Sequence, residues 1–173
     1  NQRIIPCATP DPTVEQIIQS KAEVDEWLLQ NENRNRNQVV VYVIWHVIYA
    51  SDGTGNISDN RIVAQIEAMN QEFQMNNSNI FFSLDSINRV ENTEWFTGWA
   101  YFGDALDDEG MQELHYDPAH YLNIYSAQLY DSGAGSLVTL GYTAFPTNLS
   151  ETSYMQGFTL DHRAVSGGLY GSQ

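Results

Sequence analysis

The run VVVYVIWHVIY, residues 39–49, constrains the fold of this chain more than any other stretch of the sequence. Nearly all of its residues are β-branched or aromatic, and polar residues do not alternate with apolar ones. Such a run is typical of a central strand that is buried on both faces, because a strand with one face in solvent alternates. The run therefore predicts a central strand of a sheet.

Two stretches have the apolar spacing of amphipathic helices. Residues 12–30 carry apolar side chains at intervals of three and four, and Thr13 and Gln16 have the spacing of a capping box. A second helix is expected to begin after Ser58, which is a favourable N-cap residue. Its predicted buried stripe is Ile62, Ile66, Met69 and Phe73.

Four further apolar runs predict strands. They are IFFSLDSINRV (80–90), HYLNIYSAQL (120–129), LGYTAFP (140–146) and GFTLDHRAV (157–165). With the run at 39–49, the order is helix, strand, helix and then four strands. This order predicts an α/β (α+β) fold in which a helix packs on a mixed, twisted five-stranded sheet.

Residues 95–118 lie between the predicted strands at 80–90 and 120–129 and are expected to form a loop with aromatic anchors. The stretch carries an acidic tip whose spacing does not match the alternating oxygen ligands of a calcium loop. A solvated acidic loop is therefore the favoured interpretation. The residues of the tip are Asp104, Asp107, Asp108 and Glu109.

The net charge of −15 bears on which classes of molecule the protein can bind. An acidic surface repels nucleic-acid backbones and anionic membrane surfaces, so neither is expected as a partner. No apolar run approaches the roughly 20 residues that a membrane-crossing helix needs. Cys7 is the only cysteine, which excludes an internal disulfide.

The histidines do not stand in any metal-binding motif, and no nucleophilic serine elbow is present. His46 lies within the apolar run and is expected to be a hydrogen-bonded core residue. His115 and His120 either share a metal with carboxylates upstream or cap a loop and begin a strand, and the second interpretation is favoured. Taken alone, the sequence contains no complete catalytic constellation.

Five phrases of the sequence, in their order and spacing, resemble the pappalysin family of zinc metalloendopeptidases in the metzincin clan. They are VIWHVIY (43–49), GNISDNRIVAQIEAMNQEF (55–73), YDPAHYLNIYS (116–126), LGYTAFP (140–146) and GFTLDHRAV (157–165). The resemblance implies that residues 39–173 are the N-terminal, upper subdomain of a metalloprotease catalytic domain. Residues 1–38 would then be a prosegment with an extended arm, a helix and a cleavable linker.

The resemblance also implies zinc, for which this chain lacks the family's ligands. In the family, a helix with the motif H-E-x-x-H-x-x-G-x-x-H follows the fifth strand, and its histidines hold zinc while its glutamate acts as general base. The motif does not occur in this sequence. The zinc ligands and the C-terminal half of the catalytic domain are therefore expected outside the chain, and the chain alone is expected to be inactive.

Cys7 acquires a role from the same resemblance. Bacterial relatives carry a prosegment cysteine in a C-G-T-like context that fills the fourth position on zinc, and CATP (7–10) resembles it with Ala8 in place of glycine. A thiolate is a strong zinc ligand, and displacing the nucleophilic water stops hydrolysis. Cys7 is thus the expected zinc ligand of the latent form, and the alternative is a thiol without function in a tail.

An activation site and a substrate-binding edge follow from the resemblance as well. Cleavage is expected within residues 31–38, where Arg34 and Arg36 are the candidate recognition residues. A peptide or protein substrate is expected to add as a strand to the fourth strand of the sheet. The residues of that edge are Val138, Thr139, Leu140, Gly141, Tyr142, Thr143, Ala144 and Phe145.

A second hypothesis of a different class remains open. The chain could be a non-catalytic binding or structural module with a metzincin-like half-fold, or an inhibitor that acts in trans through its arm. The resemblance favours the protease and implies a secreted or extracellular protein, with the periplasm as the alternative location in bacteria.

Overall fold

The computed structural model describes residues 3–5, 7, 9, 11–30, 38–99, 105–129, 137–145 and 149–170. In chain order the elements are β1 (Arg3–Ile5), α1 (Val14–Gln30), β2 (Val39–Tyr49), α2 (Asp59–Met75), β3 (Ile80–Glu91), α3 (Thr93–Gly98), α4 (Ala105–Leu114), β4 (Tyr121–Ala127), β5 (Leu137–Thr139), β6 (Gly141–Thr143) and β7 (Phe158–Asp161). Arg34 and Arg36 lie outside the described residues, so the activation linker stays a prediction.

Five strands form one mixed sheet in the order β3-β2-β4-β7-β6. The strand β2 is parallel to both of its neighbours, β3 and β4, and β4 is parallel to β7. Only β6 is antiparallel to its partner, β7. The predicted α/β fold with a mixed five-stranded sheet is confirmed. A second, two-stranded parallel sheet joins β1 to β5, and the sequence did not predict it.

The helix α2 covers one face of the sheet. Val43, Trp45 and Val47 of β2 are fully buried there in one cluster with Ile62 and Ile66, as the helical spacing predicts. The outer end of the predicted stripe behaves differently. Phe73 is 36% exposed and packs edge-on against the ring of Phe82 at the rim of the sheet.

The opposite face is covered by α3 and α4, and the expectation of a loop over residues 95–118 is wrong. The side chain of Asn92 accepts a hydrogen bond from the N–H of Trp95 at 3.0 Å and so caps α3. Trp99 and Met111 are buried together in the same cluster. A Cβ on Gly110 would lie 2.4 Å from the Trp99 ring, so this glycine allows the two helices to approach rather than ending one.

The acidic tip is not a solvated loop either. Asp107 lies in α4 and is buried, with a relative exposure of 1%. The neighbouring Asp108 accepts a hydrogen bond from the hydroxyl of Tyr154 at 3.1 Å. Asp104 lies outside the described residues. An acidic cluster does not by itself indicate a loop, because carboxylates are also favourable in the first turns of a helix.

The helix α1 begins with the predicted capping box. The N–H of Thr13 donates to Gln16 Oε1 at 2.7 Å, and the N–H of Gln16 donates to Thr13 Oγ1 at 3.2 Å. Its large apolar side chains are nevertheless exposed, Ile18 by 64% and Trp27 by 54%. Within the described residues, no helix combines the length and apolar character that a bilayer span requires.

One outer edge of the sheet is covered by a side chain of α2. Asn70 is buried beside β3, and its amide donates to the carbonyl oxygen of Phe82 at 2.9 Å while its own oxygen accepts from the Phe82 N–H at 2.7 Å. One asparagine thus pairs with a backbone residue of β3 as a neighbouring strand would.

Candidate functional site

The N-terminal arm lies along the edge that is predicted to bind substrate. Of this arm, residues 3–5, 7 and 9 are described. In the parallel pair, Arg3 is opposite Leu137 and Ile5 is opposite Thr139. The first contact of the arm is therefore backbone pairing with β5, which is the beginning of the predicted substrate-binding edge.

Thr9 makes the second contact, at the outer edge of β6. Its hydroxyl donates to the carbonyl oxygen of Thr143 at 3.1 Å and accepts from the N–H of the same residue at 2.9 Å. Because β7 is the one partner of β6 among the described strands of the sheet, these are the backbone groups that a strand added at this edge would use. A single threonine hydroxyl therefore occupies the position of an added strand.

Cys7 lies between these two contacts of the arm. Its thiol is free and exposed. On either side of it, residues 3–5 pair with β5 and Thr9 bonds to β6. The location suits the predicted metal-binding role of Cys7 but does not test it.

The residues predicted to bind substrate do not form one continuous strand. Val138 and Thr139 lie in β5, Gly141–Thr143 form β6, Leu140 lies between the two strands, and Ala144 and Phe145 follow β6. Thr139, Gly141 and Tyr142 are buried, whereas Thr143 is exposed and Ala144 and Phe145 are partly buried. Tyr142 lies in the core, and the outer edge is presented mainly by Thr143.

Gly141 allows a close approach, and the neighbouring backbone belongs to the sheet itself. A Cβ at this position would lie 2.9 Å from the carbonyl oxygen of Thr159 and 3.1 Å from a methyl group of Leu160. Both residues belong to β7, the inner partner of β6. The glycine thus fits the pairing of β6 with β7.

Beneath β6 lies a buried polar pair that the sequence did not reveal. The hydroxyl of Tyr142 donates to Asp107 Oδ2 at 2.8 Å, inside the cluster formed by α3, α4 and the sheet. Burial, together with the charge of Asp107, raises the pKa of Tyr142 far above its ordinary value. The phenol therefore stays protonated and remains a donor at any physiological pH.

His46, His115 and His120 make structural hydrogen bonds through their rings. His46 is buried; its Nε2 donates to Asn123 Oδ1 at 3.0 Å and its Nδ1 accepts from Asn88 at 3.3 Å, which confirms the expected core histidine. The ring of His115 bonds to the carbonyl oxygen of Gln112 at 2.9 Å at the end of α4. His120 Nδ1 lies 2.9 Å from the carboxylate of Asp117 just before β4.

The residues present do not fit a complete zinc site. Zinc in proteins has four ligands, of which at least three come from side chains. Across the described ranges, no group of three or more histidine, cysteine, aspartate or glutamate side chains lies close enough together to hold a metal. Cys7 supplies the chemistry of one ligand only.

The turn that follows β7 is organised by Arg61 of α2. The guanidinium donates to the carbonyl oxygens of His162, Val165 and Ser166 at 3.0, 2.9 and 2.9 Å. At the end of β7, the buried carboxylate of Asp161 accepts from the guanidinium of Arg163 at 2.8 Å. The turn after β7 is therefore held against α2.

Comparison with known proteins gives relatives of one class. No protein-family model matches the sequence. Over 126 residues, or 71% of the chain, the sequence is 35% identical to proteins named extracellular metalloprotease from Arthroderma benhamiae and Trichophyton verrucosum, and 36% identical to one from Arthroderma otae. The match covers 41% of each relative, so the chain spans about two fifths of their length.

Among solved structures, a promirolysin mutant from Tannerella forsythia has the same fold. It superposes with a TM-score of 0.61 at 22% identity, over 93% of this chain and 61% of the other. The structural match supports the fold, and the sequence matches support a relationship to metalloproteases. The chain is therefore a metalloprotease-related protein with a mixed α/β fold.

Proposed function

We propose that the chain is the latent N-terminal portion of a secreted zinc-dependent endopeptidase, formed by a prosegment and the upper subdomain of the catalytic domain. One observation carries the proposal: the arm pairs with β5 and caps the outer edge of β6, where a peptide substrate would add as a strand. The relatives named extracellular metalloprotease support the reaction class and the secreted location.

Latency follows from competition for the edge. A peptide substrate needs free backbone N–H and C=O groups along β6, and Thr9 already occupies those of Thr143. Because the arm belongs to the same chain, its effective concentration at the edge reaches the millimolar range, above that of most substrates. The arm therefore excludes substrate until it is detached.

Cys7 would act in the same step. The contacts at β5 and at Thr143 fix the arm on either side of it, and the exposed thiol suits the position of one zinc ligand in the latent protein. Zinc would supply an activated water for peptide hydrolysis. The remaining ligands and the general base would come from a part of the protein outside this chain, and so would the rest of the substrate cleft.

Activation would proceed by cleavage within residues 31–38, with Arg34 and Arg36 as the recognition residues. Once cut there, the arm and α1 are no longer held by the chain and lose the advantage of high effective concentration. Sequencing the N-terminus of the mature protein tests this point. A mature protein in which Leu29 is still joined to Gln38 through an intact linker would contradict it.

The proposal is tested in the longer precursor by Thr9→Val and Cys7→Ala. The valine keeps the shape of threonine but removes both hydrogen bonds to Thr143, which should raise activity before any cleavage. Cys7→Ala should also raise it. Thr97→Val is the matched control, because the Thr97 hydroxyl bonds only within α3, to the carbonyl oxygen of Thr93.

Peptide hydrolysis by the uncleaved precursor is the measurement. Equal, low activity in all three variants would remove the assignment of latency to the arm. The coding sequence beyond Gln173 distinguishes the endopeptidase from the alternative hypothesis of a non-catalytic module. A zinc-binding motif there supports the endopeptidase, and a stop codon supports the module.

A further inference from the structure

We propose that the buried hydrogen bond between Tyr142 and Asp107 sets the position of β6, and thereby sets how strongly this edge pairs with an extended segment. Tyr142 is thus a positioning residue for the edge. The inference deepens the proposed function, since it takes the β6 edge as the place where arm and substrate compete. Its test uses the arm itself and does not depend on peptidase activity.

The first support is the shortness of β6. The strand has three residues, Gly141–Thr143, and pairs with β7 at three positions. So short a ladder holds a strand weakly, because end residues fray. Its central side chain, Tyr142, is only 4% exposed and belongs to the same buried cluster as Trp99 and Met111. The anchor of β6 is therefore a side chain more than the backbone.

The second support is the alternation of a strand. Successive side chains point to opposite faces, while backbone groups point along the sheet. The ring of Tyr142 is directed into the core, and the N–H and C=O of Thr143 are directed outward to Thr9. A shift of the ring therefore displaces the very groups that pair with the arm.

The third support is the carboxylate to which Tyr142 is bonded. Asp107 is buried, and a buried charge is costly unless donors surround it. The 2.8 Å hydrogen bond from the phenol lowers that cost and gives the ring one favoured depth in the core. Because Asp107 lies in α4, the bond fixes the edge strand to the helical layer across the sheet.

The chain offers a matched control in the same cluster. Tyr125 is fully buried beside Trp99, and among the described residues its hydroxyl has no hydrogen-bond partner. Tyr125→Phe removes a buried hydroxyl that holds nothing, and Tyr142→Phe removes the one bonded to Asp107. Both variants keep the ring and the packing volume.

Residue-resolved amide hydrogen exchange of the full chain is the experiment. The reporter is the N–H of Thr143, which is bonded to Thr9. We expect Tyr142→Phe to speed exchange at Thr143 about tenfold, because a hydrogen bond to a charged group is lost. Exchange at Ile44, in the centre of β2, should stay within about twofold, as should every rate in Tyr125→Phe.

Asp107→Asn gives a second test if Tyr142→Phe folds poorly. The amide keeps the shape of the carboxylate and loses the charge, so exchange at Thr143 should again rise while exchange at Ile44 does not. Equal exchange at Thr143 in Tyr142→Phe and Tyr125→Phe would overturn the inference, as would a rise at Thr143 matched by the same rise at Ile44.

The matured longer protein distinguishes failure of this inference from failure of the proposed function. If it is a peptidase, Tyr142→Phe should raise KM several-fold with kcat nearly unchanged, because the lost positioning affects strand addition in ground and transition states alike. Absence of any peptidase activity, with faster exchange at Thr143, would refute the proposed function and leave the positioning of the edge supported.

Discussion

At the scale of single residues, His46 shows how burial controls ionisation inside the sheet. Burial lowers the pKa of His46 below its ordinary value of 6.5, and the hydrogen bond to Asn123 offsets only part of this fall. Burial also lowers the pKa of the half-buried His162, although the neighbouring Asp161 acts in the opposite direction. Both rings are therefore neutral in the folded protein at pH values where the unfolded chain is already protonated.

The pH dependence of stability follows from these directions. Below pH 6.5 the unfolded chain binds a proton at His46 more readily than the folded chain does, so the free energy of unfolding should fall as the pH drops from 7.5 to 5.5. His46→Gln should flatten this dependence even if it destabilises the fold throughout. Urea denaturation across that range measures both slopes.

The natural protein is the reference for that series. A His46→Gln slope as steep as that of the natural protein would show that the buried ring does not carry the effect.

At the scale of elements, the strands follow from composition and the contacts between distant elements do not. The runs at 39–49 and 80–90 predict strands because their apolar and β-branched residues leave no alternative. The bulge between Val43 and Ile44, where the register against β3 shifts, has no marker in the sequence. The helices α3 and α4 were missed because Gly98 and Gly110 indicate loops until Leu106 and Trp99 are placed against them.

The site shows the same division between local and distant information. A cysteine between prolines and a short strand LGYTAFP could be recognised locally. The pairing of Thr9 with Thr143 spans 134 residues of sequence, and nothing in the spacing of either residue indicates it. The bond between Asp107 and Tyr142 was hidden for the same reason, since acidic residues in a polar stretch usually face solvent.

Asn70 gives a test of how the β3 edge of the sheet is covered. Asn70→Ala should lower the free energy of unfolding by about 2–3 kcal/mol, because it leaves the backbone N–H and C=O of Phe82 without their partners at a buried position. Asn60→Ala, on the exposed side of α2, should change it by less than about 0.5 kcal/mol. Equal effects in urea denaturation would contradict this role.

At the scale of the whole molecule, Arg61 joins the helical layer to the turn beyond the sheet. Its guanidinium is the shared donor for the carbonyl oxygens of His162, Val165 and Ser166. No other common side chain can serve three carbonyls in one plane, because the guanidinium presents several N–H groups in a fixed fork.

Arg61→Met should therefore cost about 2–3 kcal/mol of stability, because three carbonyl oxygens lose their donor while the apolar stem is retained. Arg61→Lys should recover part of the loss, since an ammonium can reach one or two of the acceptors. Thermal and urea denaturation rank the three proteins. An Arg61→Met variant as stable as the natural protein would mean that packing of the stem, and not hydrogen bonding, carries the effect.

The two edges of the five-stranded sheet are covered in different ways. Asn70 of α2 covers the β3 edge, whereas Thr9 covers the β6 edge from an arm at the start of the chain. Release of the arm would expose the β6 edge only. Two such molecules could pair through their β6 edges and would then have no exposed edge left, so the association would stop at a dimer rather than continue into a fibre.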